Sequence, residues 1–332
     1  MGSKVEAVGI LGLGKYLPEK VLTNFDLEKM VDTSDDWITK RTGIKERRIL
    51  EEGTPSYEMG IKAAEQAIKD AGITAEDVDM IIVTTANPDY LTPSTSCIIQ
   101  GKINAKKAAA IDINCACPGF IYGVTIGQQF IMAGTYKYVL VVSCEAMSRV
   151  TDYEDRATCI LFGDGAGAAV LGPVEKGYGI ISTDLGADGA AGRNITIPCT
   201  YLNDEDKEKR IHENKQVLWM DGSEVFKFAV KTMEGATTRV VEDAGLKMED
   251  IDMIVPHQAN MRIIDGAIKR LNVPKEKVYV NLDRYGNISS ASIPVALSEV
   301  VDKGLIKKGS YVAITGFGGG LNWASVLLKW AK

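Results

Sequence analysis

AAEQAIKDAGITAEDVDMIIVTTAN, residues Ala63–Asn87, returns as ATTRVVEDAGLKMEDIDMIVPHQAN at Ala236–Asn260, a constant 173 positions later. Eleven of the twenty-five positions are identical, among them Asp70/Asp243, Gly72/Gly245 and Asp79-Met80-Ile81/Asp252-Met253-Ile254. Each copy carries apolar residues at helical spacing, then a glycine that stops the helix, an acidic turn and a short apolar strand. Such a repeat implies an internal duplication, and it is the first thing to settle in a chain of this length.

The duplication extends further. Ala108–Asn114 is an apolar strand, followed by a turn at Cys117 and a helix that ends near Gly134. In the second half Val278–Asn281 precedes a turn at Asn287 and a helix that ends near Gly304, so both landmarks repeat at an offset of 170. Each half then closes on an apolar strand with a glycine-rich turn, at 163–171 and 316–328. The pattern predicts two βαβαβαββ halves, 1–172 and 173–332, with mainly parallel sheets covered by helices. Packed together they form a five-layered αβαβα unit. Loops at the carboxyl ends of equivalent strands then meet near the pseudo-twofold axis, where α/β proteins commonly bind ligands.

Composition narrows the class. The chain has 332 residues, 45% hydrophobic and 25% charged, with a formal net charge of −6. An acidic balance argues against nucleic-acid binding, which needs a basic surface. No run approaches the roughly 18 apolar residues of a membrane span, and the N-terminus lacks a signal-peptide pattern. Six cysteines (97, 115, 117, 144, 159 and 199) without a secretory signal read as reduced thiols in the cytoplasm, and neither a CxxC pair nor a metal-ligand spacing is present. The glycines at 9, 12 and 14 lack the third glycine and following helix of a dinucleotide fingerprint. The charged stretch Tyr201–Gln216 reads as a solvated loop, with His212 as a surface residue inside it.

Three residues stand out for chemistry. Cys117, in INCACPGF, sits between a strand and a helix. Pro118 suits the first helical position, so Cys117 is expected as N-cap, where free N–H groups and the helix dipole stabilise a thiolate. A buried structural cysteine is the competing reading, and it fits Cys115, Cys144 and Cys159. His257 follows an apolar strand that Pro256 ends, in a loop expected to face Cys117; a satisfied structural histidine is equally compatible with its local sequence. Asn287 alone reads as a turn residue, but its slot matches that of Cys117, and its amide can donate to a developing oxyanion. Gly316–Gly320 offers backbone N–H groups free of side chains for the same purpose.

Together CACPGF, PHQAN, YGNISSAS and the terminal GFGGG closely resemble the β-ketoacyl-acyl-carrier-protein synthase III family of the thiolase fold. SDDWITKRTGIKERR (34–48) and FGDGAGA (162–168) are similar to other stretches of that family, so the resemblance spans nearly the whole chain. It implies an acyltransferase without metal or redox cofactor that acts on coenzyme A thioesters. Cys117 takes an acyl group from a starter acyl-CoA; malonyl-acyl-carrier protein then loses CO2 and its carbanion attacks the acyl-cysteine. The backbone of Cys117 and Gly319 is implied as oxyanion hole, with His257 and Asn287 stabilising the enolate. Trp37 and Arg156, with Arg41 nearby, are implied to hold the CoA adenine, and Asn260 to touch pantetheine. Carrier-protein contacts are implied at Gln258, Ala259, Asn260, Met261 and Arg262, with Lys227, Lys269 and Arg270 as basic neighbours. The family also implies a homodimer in which Thr92 stands at a gate on the starter pocket.

Relatives separate on the same residues. Elongating synthases use a second histidine where Asn287 stands, and thiolases carry a second cysteine in the loop that here reads GFGGG. Pro118 departs from the small residue often seen after the nucleophile. A specialised-pathway acyltransferase or an inactive acyl-binding protein on the same fold are the remaining alternatives.

Overall fold

The computed structural model describes residues 5–199 and 216–332; the charged stretch with His212 lies outside the described residues, apart from Gln216. Two sheets carry the fold. The first contains β1 (Val8–Tyr16), β2 (Met80–Thr84), β3 (Ala109–Ile113), β4 (Val139–Ala146) and β5 (Asp164–Pro173), in the order β1-β5-β4-β2-β3. The second contains β6 (Gly179–Ala187), β7 (Met253–Pro256), β8 (Tyr311–Gly318) and β9 (Asn322–Lys329), in the order β7-β8-β9-β6.

Alternation along each strand explains why helices cover both faces. Met80 and Ile82 of β2 point to the centre of the molecule, while Ile81 and Val83 point outward. In β7, Met253 and Val255 face the centre and Ile254 the outside. The central layer is a helix pair, α4 (Gly119–Met132) and α7 (Ser292–Asp302), which buries Phe120, Val124, Ile293 and Leu297 between the two sheets. Outside the first sheet lie α2 (Tyr57–Asp70) and α3 (Thr95–Lys102), whereas α1 (Asp35–Thr42) packs Ile38 into the outer cluster of the second half. Outside the second lie α5 (Gly222–Asp243) and α6 (Met261–Leu271). These are the expected five layers of the thiolase fold.

The repeat survives in atomic detail. The Asp79 backbone N–H donates to the Tyr138 carbonyl and that of Asp252 to the Tyr311 carbonyl, again 173 positions apart. Gly72 and Gly245 end their helices at φ 68° and 70°, and Gly134 and Gly304 do so at 74° and 64°, a left-handed conformation that favours glycine.

Two expectations are corrected. The sheets are mixed rather than mainly parallel: β2 runs parallel to β3 and β4, and β7 to β8, but the closing strands of each half are antiparallel. Helix crossovers enforce parallel pairing, whereas the β8–β9 connection is a tight hairpin and cannot. Val278–Asn281 does not form a full counterpart of β3; only an isolated bridge joins Val278 to Ile254. Gln258 takes up backbone groups that a ladder would have used there: its amide donates to the Tyr279 carbonyl and its Oε1 accepts from the Asn281 N–H.

Candidate active site

The strand ends of both halves open onto one cavity of about 440 Å³, lined by Cys117, His257, Asn287, Ser289 and Gly318–Gly319 at its floor. The sequence-derived trio is therefore assembled in one place. Apolar walls come from Met147, Phe162, Ile195, Leu218 and Phe317, while Trp37, Arg41, Arg156 and Arg262 lie toward the basic end.

Cys117 sits in a tight turn before α4. Ala116 adopts φ 49°, unusual for a residue with a Cβ, and its carbonyl accepts from the Gly119 N–H at 2.9 Å. The helix cap is Pro118, so Cys117 lies one residue earlier than expected and makes no N-cap contact of its own. The β8–β9 hairpin presses on this turn. A Cβ on Gly318 would stand 2.8 Å from the Cys117 nitrogen, so only glycine fits there. Gly319 passes Ala116, and its carbonyl accepts from Asn322 Nδ2 at 2.8 Å.

A low-pKa thiolate was the expectation, and the surroundings give the opposite. Burial pushes the Cys117 thiol up to about 12, helped by the negative charge of Glu145, while a hydrogen bond from Ser289 pulls the other way. Desolvation outweighs the pull of that hydrogen bond.

His257 is 1% exposed and held from three sides. Its backbone N–H donates to the Thr315 carbonyl at 2.8 Å, its Nδ1 lies 2.7 Å from the Ser292 hydroxyl, and Phe317 meets the ring edge-on. Burial lowers its pKa to about 3, so the imidazole is neutral. The Gln258 backbone N–H approaches the same Ser292 oxygen at 3.4 Å; with the Ser292 hydroxyl donating to Nδ1, the ring proton stands on Nε2.

Asn287 bridges the halves: its N–H donates to the Leu161 carbonyl and its own carbonyl accepts from the Gly163 N–H. Its Oδ1 accepts from the Ser289 N–H at 2.9 Å, which leaves the NH2 as the donor for a ligand. The segment before it is anchored by the carboxylate of Glu299, which accepts from Tyr279, Tyr285 and Arg284.

At the basic end, the guanidinium of Arg41 lies 4.6 Å and that of Arg156 4.9 Å from the Trp37 ring, and Asn260 caps α6 through the Arg262 N–H. Arg262 is exposed beside the cavity, over the Phe226 ring, and Met261 is half-buried. Lys227, Lys269 and Arg270 are exposed, and Lys227 pairs with Glu224. Two of the implied carrier-protein contacts have buried side chains. Gln258 is 1% exposed, its amide spent on the Pro256 and Tyr279 carbonyls, and Ala259 is also buried, so neither presents a side chain to a surface. Thr92 is exposed and does not line the cavity of its own chain.

Ser289, Ser292 and Glu145 escaped the sequence reading as individual residues. A carboxylate in the otherwise apolar run VLVVSCEA was the available signal for Glu145. No cluster of three or more potential metal-ligating side chains occurs among the described residues, and no helix there is long and apolar enough to cross a membrane.

The chain matches two family models, 3-oxoacyl-[acyl-carrier-protein (ACP)] synthase III over residues 111–189 and its C-terminal counterpart over 241–330. A protein of Caldanaerobacter subterraneus subsp. tengcongensis named beta-ketoacyl-[acyl-carrier-protein] synthase III is 54% identical over 98% of each chain. Among solved structures, the synthase III of Thermus thermophilus is 47% identical with a TM-score of 0.92, over 97% of this chain and 99% of that one. The 3-oxoacyl-[acyl-carrier-protein] synthase III of Aquifex aeolicus is 45% identical with a TM-score of 0.91, over 98% and 100%.

Proposed function

Because this chain belongs to the 3-oxoacyl-[acyl-carrier-protein] synthase III family, the condensing acyltransferases of fatty-acid initiation, we propose that it joins a starter acyl-CoA to malonyl-acyl-carrier protein through Cys117. The observation that carries this is the convergence of Cys117, His257 and Asn287 on one cavity, with a neutral imidazole and a free amide at its floor.

In the first half-reaction the Cys117 sulfur attacks the thioester carbonyl and CoA leaves. The N–H groups of Cys117 and Gly319 receive the tetrahedral oxyanion. In the second, malonyl-carrier protein enters and loses CO2. His257, through its Nε2–H, and Asn287, through its amide, donate to the thioester oxygen as it becomes an enolate, where neutral donors act on charge as it develops. The carbanion attacks acyl-Cys117, and the 3-oxoacyl-carrier protein departs. CoA is a substrate here, and neither metal nor redox cofactor enters the scheme.

Trp37, Arg41 and Arg156 form the adenine end of the CoA site, because guanidinium groups stack on aromatic rings and bind phosphate. Asn260 lines the same cavity, apt for pantetheine. Arg262, Lys269 and Arg270 on α6, with Lys227 on α5, form the basic face for an acidic carrier protein; Arg262→Glu with Lys269→Glu should raise the KM for malonyl-carrier protein and spare loading by acyl-CoA.

The edge strand β3, which pairs on one side only with Ile111 43% exposed, and the exposed Tyr90 and Leu91 support a homodimer. Thr92 would then wall the partner's starter pocket. Lacking a ring, it leaves room for added methylenes, each worth roughly 0.8 kcal/mol when buried, unless Leu91 or Tyr90 refills the space. Thr92→Phe should narrow the kcat/KM profile across acetyl-, butyryl- and isobutyryl-CoA. We read 1–172 and 173–332 as the duplicated halves and the cytoplasm as the compartment, in keeping with free thiols. Reconstitution with acetyl-CoA and malonyl-carrier protein tests the function: 3-oxoacyl-carrier protein and CO2 are expected, and their absence with every acyl-CoA overturns it.

A further inference from the structure

Arg47 is 0% exposed, a whole cation enclosed by protein, and the condensation scheme gives it nothing to do. It belongs to a short antiparallel ribbon, Val21–Thr23 with Glu46–Arg48, whose two strands flank α1 in the chain. Its Nη1 donates to Asn24 Oδ1 at 3.0 Å and to the Leu22 carbonyl at 3.2 Å, and its Nη2 donates to the Ile160 carbonyl at 2.7 Å. All three acceptors are uncharged, and the adjacent Glu46 pairs with Arg48 instead, at 3.6 Å. Burial lowers the Arg47 pKa to about 10, which leaves the guanidinium charged at neutral pH. A buried charge without a counterion is costly unless its hydrogen bonds serve a purpose, so the question is what those three bonds hold.

One side leads to the CoA end. Asn24 is also 0% exposed, and its Nδ2 donates to Asp35 Oδ1 at 2.9 Å and to the Ile44 carbonyl at 2.8 Å. It therefore grips the start of α1 and the chain just past its end, with Trp37 and Arg41 between them. The other side leads to Asn287. Ile160 precedes Leu161, whose carbonyl accepts the Asn287 N–H at 2.8 Å, and the Gly163 N–H donates to the Asn287 carbonyl at 3.1 Å. The Arg47 stem packs against both strands of this contact: a Cβ on Gly163 would stand 2.9 Å, and one on Gly286 3.3 Å, from the Arg47 Cβ. The Lys45 N–H adds a bond at 2.9 Å to the Asp283 carbonyl, in the helical turn Leu282–Tyr285 that leads to Asn287.

We propose that Arg47 is a positioning residue that sets the Asn287 amide from the arm carrying Trp37 and Arg41, so that one buried guanidinium ties the two ends of the site together. This rests on Asn287 as a donor to the enolate. Arginine suits the task because its rigid planar fork reaches acceptors on separate segments at once, whereas a lysine ammonium is a point charge on a flexible stem. Neutral carbonyls on two segments also make the guanidinium a brace rather than half of a local ion pair. If either segment moved away, a buried donor would be left unsatisfied, so the arm and the 160–163 wall shift as one. Asn287 follows that wall, because its own backbone N–H and carbonyl are both bonded to it.

Arg47→Lys keeps the charge and loses the fork. Condensation of preloaded acyl-enzyme with malonyl-carrier protein, expressed per loaded enzyme by intact-protein mass spectrometry, should fall about tenfold to a hundredfold. In an Asn287→Ala background the same change should cause no further loss, because the amide that Arg47 positions is gone. The KM for acetyl-CoA should rise in both backgrounds, since α1 hangs from the same guanidinium. A part in stability alone predicts a smaller loaded fraction with the parental rate per loaded enzyme, and that result overturns the proposal. So does an equal fold-loss with and without the Asn287 amide, or an unchanged KM. If Arg47→Lys forms no acyl-enzyme, Asn24→Ser, which removes one acceptor and leaves Arg47 its two carbonyls, should show the same pattern at smaller size; failure of both variants to load overturns the proposal in favour of a purely structural role. Asn287→Ala that condenses at the parental rate is a separate result, and it overturns the assignment of Asn287 as well.

Discussion

Thr84 and His257 occupy the same slot in the two halves, 173 positions apart, at the end of β2 and just after β7. Both are buried and both reach a serine of the segment that follows Asn287: Thr84 Oγ1 lies 3.2 Å from Ser290 Oγ, and His257 Nδ1 lies 2.7 Å from Ser292 Oγ. Thr84 spends its hydroxyl on structure, with Ser143 at 2.6 Å as its second partner. His257 keeps Nε2 for the cavity. Duplication supplied two equivalent strand ends, and in the proposed scheme the one with histidine serves as a donor for developing charge while the one with threonine keeps a structural contact. The same holds for Cys117 and Asn287, which occupy matched turns but of which only Cys117 is proposed as a nucleophile.

The largest effect comes from the side that carries the charge. Asn287→Asp should retain acyl loading and lose about 10²–10³ in condensation rate, because a carboxylate repels the enolate that the amide stabilises. Turnover of preloaded acyl-enzyme measures it, and an unchanged rate would remove Asn287 from the mechanism. His257→Ala should behave likewise.

The corresponding change in the first half should act on stability. Thr84→Val deletes the hydroxyl between Ser143 and Ser290 and should cost about 1–2 kcal/mol in urea unfolding, while malonyl decarboxylation stays close to that of the parent. A condensation loss as large as that of His257→Ala would show that the two slots are not specialised as described.

A further difference between the two slots concerns acid. His257 titrates near 3 when folded, against an ordinary value of 6.5, so between those values the unfolded chain binds the extra proton. Its share of stability is present above 6.5 and drains away as pH falls toward 3. His257→Asn should flatten that part of the stability profile, and Thr84→Val should leave its slope alone. Equal slopes in the parent and His257→Asn would contradict a buried neutral imidazole.

Much of this was legible from the repeat. Two copies of helix, glycine, acidic turn and strand dictate two sheets and three helical layers. The matched offsets of Cys117 and Asn287 then bring them together with His257. What stayed hidden depends on partners distant in sequence. The raised thiol pKa of Cys117 comes from burial in the folded protein, and a local helix-terminus argument sees only the stabilising side. The anchoring of His257 needs Ser292, 35 residues away, and Glu145 resembles an ordinary strand residue until Ser289 folds over it. The missing ladder at Val278–Asn281 has the same origin. An apolar run promised a strand, but its backbone groups were taken by the Gln258 side chain from another element.

The central claim is that Cys117 carries the acyl group. Intact-protein mass spectrometry after incubation with a panel of acyl-CoAs should give one acyl adduct on the parent protein, mapped to Cys117 by peptide digestion, and none on Cys117→Ala. An adduct that persists on Cys117→Ala, or a parent protein that no acyl-CoA modifies, would contradict the account.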